Sequence, residues 1–100
     1  MRLNEKTVER VIEHLEGLVW DKSVKVIFVT VTLDNGERLH YTIERAKRWG
    51  EAFALLDEKR AVIDIYPLAF LSADEIFDAL IREVEETYKH EIIDIKFENH

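Results

Sequence analysis

The sequence predicts an α+β fold, a two-layer sandwich in which a mixed four-stranded sheet packs against two or three helices. Three observations lead to this class. Nonpolar residues recur at helical spacing near the start and again in the last third of the chain. Runs rich in β-branched residues lie between and after them, which is typical of strands. One hundred residues, 47% of them hydrophobic, suit one core, so we expect a single compact domain over residues 1–100.

The first predicted elements are a helix and a hairpin. The helix covers residues 4–19 with Asn4 as its N-cap, and a strand follows over 24–33. Asn35-Gly36 predicts a two-residue type I′ turn, followed by a strand over 38–43. This turn places His40 opposite Val31 on an aliphatic face and leaves apolar groups on both faces of the hairpin. We therefore expect the second face to be covered by a helix or by another copy of the chain.

The middle of the chain allows two interpretations. A helix over residues 44–58 is favoured because Ala46, Trp49, Phe53 and Leu56 form one stripe, although Gly50 lies inside it. The alternative is a loop and a short strand over 52–56, with a hairpin through residues 57–60.

The last third predicts a strand, a helix and a strand. The strand over 61–66 ends at Pro67, and Ser72 with Glu75 forms a capping box. Leu71 and Ile76 occupy the positions of a hydrophobic staple at the start of that helix. The final strand covers 91–97. A helix of crossover length predicts that the last two strands are parallel neighbours, so the sheet should be mixed.

Composition excludes several classes of function. The chain has no cysteine, which excludes disulfides and thiolate chemistry. Its net charge of −7 disfavours nucleic acid and anionic membranes as partners. The longest apolar run is too short to cross a bilayer and no signal peptide opens the chain, so we expect a cytoplasmic protein without membrane contact. The sequence predicts no metal site and no cofactor, and its scarcity of thermolabile residues is typical of thermostable or designed proteins.

Four residues are weak catalytic candidates. Asp64 and Asp94 are central in the last two predicted strands, and Lys96 follows on the face of Asp94. If those strands are neighbours, the acids could hold Mg²⁺ beside an amine, as in many nucleases. The helix-first order loosely resembles the restriction-endonuclease core, although no Pro-Asp pair precedes these acids. His40 is a candidate for proton transfer.

A second group of residues suggests binding. Arg45 and Arg48 precede Trp49, and tryptophan with arginine is a frequent centre of protein interfaces. Tyr41 adds to an aromatic content that exceeds what one small core needs.

The leading hypothesis is a non-enzymatic interaction domain that associates with itself or with a protein partner. The alternatives are a Mg²⁺-dependent nuclease that uses Asp64, Asp94 and Lys96, and a designed scaffold without biological function. The balance of the patterns favours the absence of catalytic activity.

Overall fold

A computed structural model describes residues 3–46, 52–67 and 72–99. This part of the chain forms two helices and one five-stranded antiparallel sheet, with strand order β4-β3-β2-β1-β5. The elements in chain order are α1 (Glu5–Trp20), β1 (Val26–Leu33), β2 (Arg38–Ala46), β3 (Ala52–Leu56), β4 (Val62–Pro67), α2 (Ala73–Tyr88) and β5 (Ile92–Asn99). The predicted α+β class is confirmed, whereas the sheet has one more strand than predicted and is not mixed.

Helix α1 begins where its cap residue predicts. The Asn4 side chain accepts a hydrogen bond from the backbone N–H of Thr7 at 2.8 Å, which satisfies one of the free donors of the first turn. Leu15 and Val19 are buried on the face that packs on the sheet. The nonpolar spacing thus predicted both the position and the buried face of this helix.

The first hairpin has a three-residue loop. Leu33 N–H donates to Glu37 O at 2.8 Å, and Gly36 N–H donates to Leu33 O at 2.9 Å. Gly36 has φ +88°, whereas the only other described residues with positive φ are Arg60 and Lys89, so Asn35 is not left-handed. The predicted type I′ turn is therefore wrong, because one left-handed glycine closes a longer loop of the G1-bulge kind.

The longer loop shifts the hairpin register by one residue. Val31 lies opposite Leu39, and His40 lies opposite Thr30. Every side chain of β2 thereby moves to the other face from the one predicted. The face toward the helices now carries only apolar groups and a tyrosine from this hairpin: Ile27, Val29, Val31, Leu33, Leu39, Tyr41 and Ile43, all buried.

The face away from the helices is called the open face below. Over β1, β2 and β5 it carries threonines, His40 and charged side chains together with Val26 and Phe28, and Phe28 is 41% exposed. The prediction of apolar groups on both hairpin faces is wrong for β2, because the register error had placed Leu39, Tyr41 and Ile43 on this face. The apolar groups that do lie here come from β1. Neither described helix covers the open face, because the buried residues of both helices belong to the core on the other side.

Residues 52–56 form strand β3, as the alternative interpretation predicted, and residues 44–46 belong to β2, so the helix over 44–58 is wrong. The predicted loop before β3 falls on residues 47–51, which lie outside the described residues. The strand pairs with β2 through Ile43–Leu55 and with β4 through Phe53–Tyr66. All five residues of β3 are buried. A strand that is buried on both faces lacks the alternation of polar and nonpolar residues that identifies most strands. Its alanines and leucines therefore also fit the nonpolar pattern of a buried helix.

Helix α2 and strand β5 begin close to their predicted positions. Ser72 is the N-cap of α2, although its side chain makes no capping hydrogen bond, and Leu71 lies outside the described residues. Four antiparallel steps separate β4 from β5, so the two strands point the same way, as predicted. They are not neighbours, because β5 pairs with β1 at the opposite edge of the sheet. The predicted parallel pair is therefore wrong.

Candidate interaction surface

The structure does not bring together the acids that the sequence selected for metal binding. Asp64 lies on β4 and Asp94 lies on β5, and the whole width of the sheet separates these strands. Four inter-strand spacings amount to about 19 Å, too far for one metal ion to contact both carboxylates. The Asp64 Oδ1 instead accepts the N–H of Ile65 at 2.8 Å. Within the described ranges, no three His, Asp or Glu side chains group closely enough to hold a metal ion.

His40 lies on the open face and not among aliphatic side chains. Its backbone N–H donates to Glu58 Oε1 at 3.1 Å, at the point where β2 extends beyond the shorter strand β3. A shallow depression of about 240 Å³ borders this contact, lined also by Tyr41, Lys59 and Tyr88. The predicted position of His40 opposite Val31 on an aliphatic face is wrong, because it followed from the wrong hairpin register.

Arg45 connects β2 to the end of α1. Its Nη2 donates to Val19 O at 3.0 Å and to Asp21 O at 3.2 Å, and its Nε donates to Val24 O at 3.3 Å. The guanidinium also lies 4.5 Å from the ring centre of Phe53. A cation at a helix C-terminus stabilises carbonyls that have no partner within the helix. Arg45, proposed from sequence as a binding residue, therefore has a structural use for its donors.

The other predicted binding residues divide between the core and the undescribed segment. Tyr41 is only 5% exposed, and burial raises the pKa of its hydroxyl well above the usual range, with nearby Tyr88 and Glu83 adding to the shift. Burial raises the pKa of Tyr66 in the same way, helped by the Asp64 carboxylate. Arg48 and Trp49 lie outside the described residues.

The sequence did not identify the outer edge of β5. Arg45 N–H donates to Lys25 O and Leu33 N–H donates to Glu37 O, so the odd-numbered residues of β1 direct their backbone groups toward β2. The even-numbered residues of β1 therefore bond to β5, opposite Asp94, Lys96 and Glu98. The backbone groups of Ile95, Phe97 and Asn99 consequently point outward. The His14 Nε2, which lies 2.9 Å from Phe97 O, agrees with this direction.

A groove lies along this edge, between β5 and α1. It has a volume of about 330 Å³ and is lined by Arg10, Val11 and His14 of α1 and by residues 95–98 of β5. Ile95 and Phe97 are each only 3% exposed with their backbone included, since α1 packs beside them, whereas Lys96 and Glu98 are exposed on the open face. The outer edge of β5 and this groove together are called the β5 edge.

The two edges of the sheet differ in their suitability for pairing. Strand β4 has a register irregularity opposite Leu55/Leu56 and ends at Pro67. Bulges and prolines are the features by which proteins prevent strand addition. Strand β5 has its irregularity opposite Thr32/Leu33, and the following residues, 94–99, pair regularly with β1. Of the two edges, β5 offers the longer regular stretch.

Comparisons with protein families, curated proteins and solved structures found no match for this chain. No helix in the described part of the chain is long and apolar enough to cross a membrane.

Proposed function

We propose that this chain is a non-enzymatic interaction domain that self-associates by adding a strand at the β5 edge. The observation that carries the proposal is the regular stretch of β5 at the border of the sheet, with its outward backbone groups beside a groove. Backbone N–H and C=O groups are strong donors and acceptors, and a row of them along a sheet edge is a template for another strand.

The groove supports this mode of binding. In strand addition, main-chain hydrogen bonds supply affinity, and pockets for alternate side chains supply specificity. The β5 edge offers both kinds of contact, because Val11 and His14 of α1 lie beside the outward groups of Ile95 and Phe97. A strand in this position would bond to the edge of β5 and would contact α1 through its face on the helix side.

The nuclease alternative has less support. It required Asp64 and Asp94 on neighbouring strands, and these residues lie on opposite edges of the sheet. Asp94 and Lys96 remain two residues apart on β5, but one carboxylate does not provide the ligand set that a catalytic metal ion needs.

Sedimentation velocity over a wide range of protein concentration, combined with amide hydrogen exchange, tests the proposal. We expect a concentration-dependent dimer or larger species. The amides of Ile95 and Phe97 should become protected as this species forms. The amides of Lys96 and Glu98 point toward β1 and should be protected at every concentration, which makes them internal controls. A chain that stays monomeric at the highest concentration, with Ile95 and Phe97 exchanging freely, would refute the proposal.

A further inference from the structure

We infer that the strand added at the β5 edge is β5 of a second copy, antiparallel to the first and centred on Phe97. This inference rests on the proposed function and specifies its partner and register. The product is a two-fold dimer in which two five-stranded sheets join into one continuous sheet.

Charge on the open face of β5 restricts the possible registers. Asp94, Lys96 and Glu98 alternate in sign along this face. A two-fold axis through an antiparallel pair places one residue opposite its own copy. An axis at Lys96 would place the two lysines opposite each other and would place Asp94 opposite Glu98 of the second copy. An axis at Ile95 or Phe97 places opposite charges together instead, and only opposite charges stabilise a directly facing pair.

Backbone geometry favours the axis at Phe97. Because the N–H and C=O of Phe97 point outward, the two copies of this residue would form a hydrogen-bonded pair. Lys96 then faces Glu98 of the second copy in a non-hydrogen-bonded pair, the kind that brings side chains closest, with Cα atoms about 4.5 Å apart. The symmetry produces this ion pair twice.

The irregularity of β5 disfavours the axis at Ile95. That register pairs residue 93 with Phe97 of the second copy, and residue 93 has no partner on β1, since Asp94 pairs with Thr32 and Ile92 pairs with Leu33. A bulged residue bends its strand and interrupts the ladder. The register centred on Phe97 uses residues 95–99, which lie within the regular stretch.

His14 is compatible with this arrangement. A carbonyl oxygen has two lone pairs, so Phe97 O accepts from His14 and retains a site for the N–H of the second copy. Both sheets present their helices on the same side, because the two-fold axis is perpendicular to the joined sheet. The α1 helices of the two copies therefore flank the shared strands.

Charge reversal tests the register. Lys96→Glu and Glu98→Lys should each raise the dimer dissociation constant by about tenfold, since each variant turns two attractive pairs into two repulsive pairs. The double variant K96E/E98K restores opposite charges in both pairs and should restore dimerisation to nearly the wild-type level. Arg38→Glu is the matched control, an exposed reversal on the open face of β2, and should leave the dissociation constant unchanged.

The outcomes separate the register from the proposed function. Recovery in K96E/E98K supports the axis at Phe97. Recovery in D94K/K96E, with no recovery in K96E/E98K, would overturn that axis in favour of Ile95. A wild-type dimer that is insensitive to every reversal would overturn the inference and leave the self-association intact. A monomeric wild-type chain would overturn the proposed function itself.

Discussion

Replacing Arg45 tests how much of the fold depends on one guanidinium that joins two elements. Arg45 extends from β2 to the end of α1, where it donates to Val19 O, Asp21 O and Val24 O, and it lies over the ring of Phe53. Arg45→Met keeps the aliphatic stem and removes the donors and the charge. Arg45→Lys keeps the charge and one compact donor group, but loses the planar fork.

The magnitude follows from the individual contacts. The two partly buried hydrogen bonds, to Val19 O and Val24 O, should contribute about 1 kcal/mol each, and the exposed bond to Asp21 O adds little. The contact with Phe53 should add about 0.5–1 kcal/mol. A cation at a helix C-terminus adds about 0.3–1 kcal/mol. Arg45→Met should therefore lower the free energy of unfolding by about 3 kcal/mol, and Arg45→Lys by about half as much.

Urea denaturation of the variants, at a protein concentration where the oligomeric state is the same, measures these differences. The methionine variant should also lower the Tm by more than about 10 °C. Arg38→Met is the control, because Arg38 lies on the same strand and is exposed, and it should change stability by less than about 0.5 kcal/mol. If Arg45→Met is no more destabilising than Arg38→Met, the contacts of the guanidinium do not stabilise the fold and the reasoning is refuted.

Three further predictions concern the core and the first turn. Burial raises the pKa of Tyr41 and Tyr66, so both phenols remain protonated in the folded chain at a pH at which they are already ionised in the unfolded chain. The contribution of these tyrosines to the free energy of unfolding should therefore be complete below about pH 10 and should fall above that pH by about 1.4 kcal/mol per pH unit for each tyrosine. Chemical denaturation at several pH values above this point measures the fall, which should be about half as steep in Tyr41→Phe. Gly36→Ala should lower the free energy of unfolding by about 1 kcal/mol because φ is +88°, whereas Gly36→Asn should be milder; equal costs would contradict the left-handed loop. Leu80→Ala should lower the free energy of unfolding by about 2–5 kcal/mol because Leu80 is 0% exposed, and exposed Glu86→Ala, measured by the same denaturation, should leave it nearly unchanged.

The sequence predicted a helix correctly where one local pattern, a cap residue or the spacing of nonpolar residues, was not contradicted by another pattern. Asn4 and the spacing of Leu15 and Val19 located α1, and Ser72 located the start of α2. Each of these signals acts within one or two helical turns, so nothing distant is needed to interpret it.

The hairpin shows how a strong dipeptide signal conflicts with the pattern of nonpolar residues. Asn35-Gly36 favours a two-residue turn, but that register places His40 beside Val31 and mixes polar with apolar groups on both faces. The observed register, one residue away, places Leu39 beside Val31 and gathers most apolar side chains of the hairpin on one face, leaving Val26 and Phe28 on the other. Burial of a whole face involves seven side chains of this hairpin, whereas the turn preference involves two residues. The free energy of burial therefore decides the register, and the sequence contained enough information to predict it.

The order of the strands was not accessible to the same reasoning. A helix between two strands determines that they point the same way, but it does not determine which strand becomes the neighbour. Here α2 returns the chain to β1 at the opposite edge, a choice made by contacts far apart in sequence. The β5 edge, and with it the candidate site, depends on that choice.

The corrected register also changes the kind of interface that self-association can use. Two apolar hairpin faces would favour stacking of sheets face to face. The nonpolar side chains exposed or half-buried on the observed open face are Val26 and Phe28 of β1 and Val62 and Ile65 of β4. Thr42 and Glu44 of β2 lie between these two groups, so the open face lacks the continuous apolar area that a stable face-to-face interface buries. Pairing through the β5 edge needs no apolar face, because backbone groups supply the hydrogen bonds and alternating charges supply the register. A dimer of this chain should therefore weaken on charge reversal at Lys96 or Glu98, whereas a dimer formed by stacked apolar faces would be little affected by charge reversal and would strengthen in sulfate.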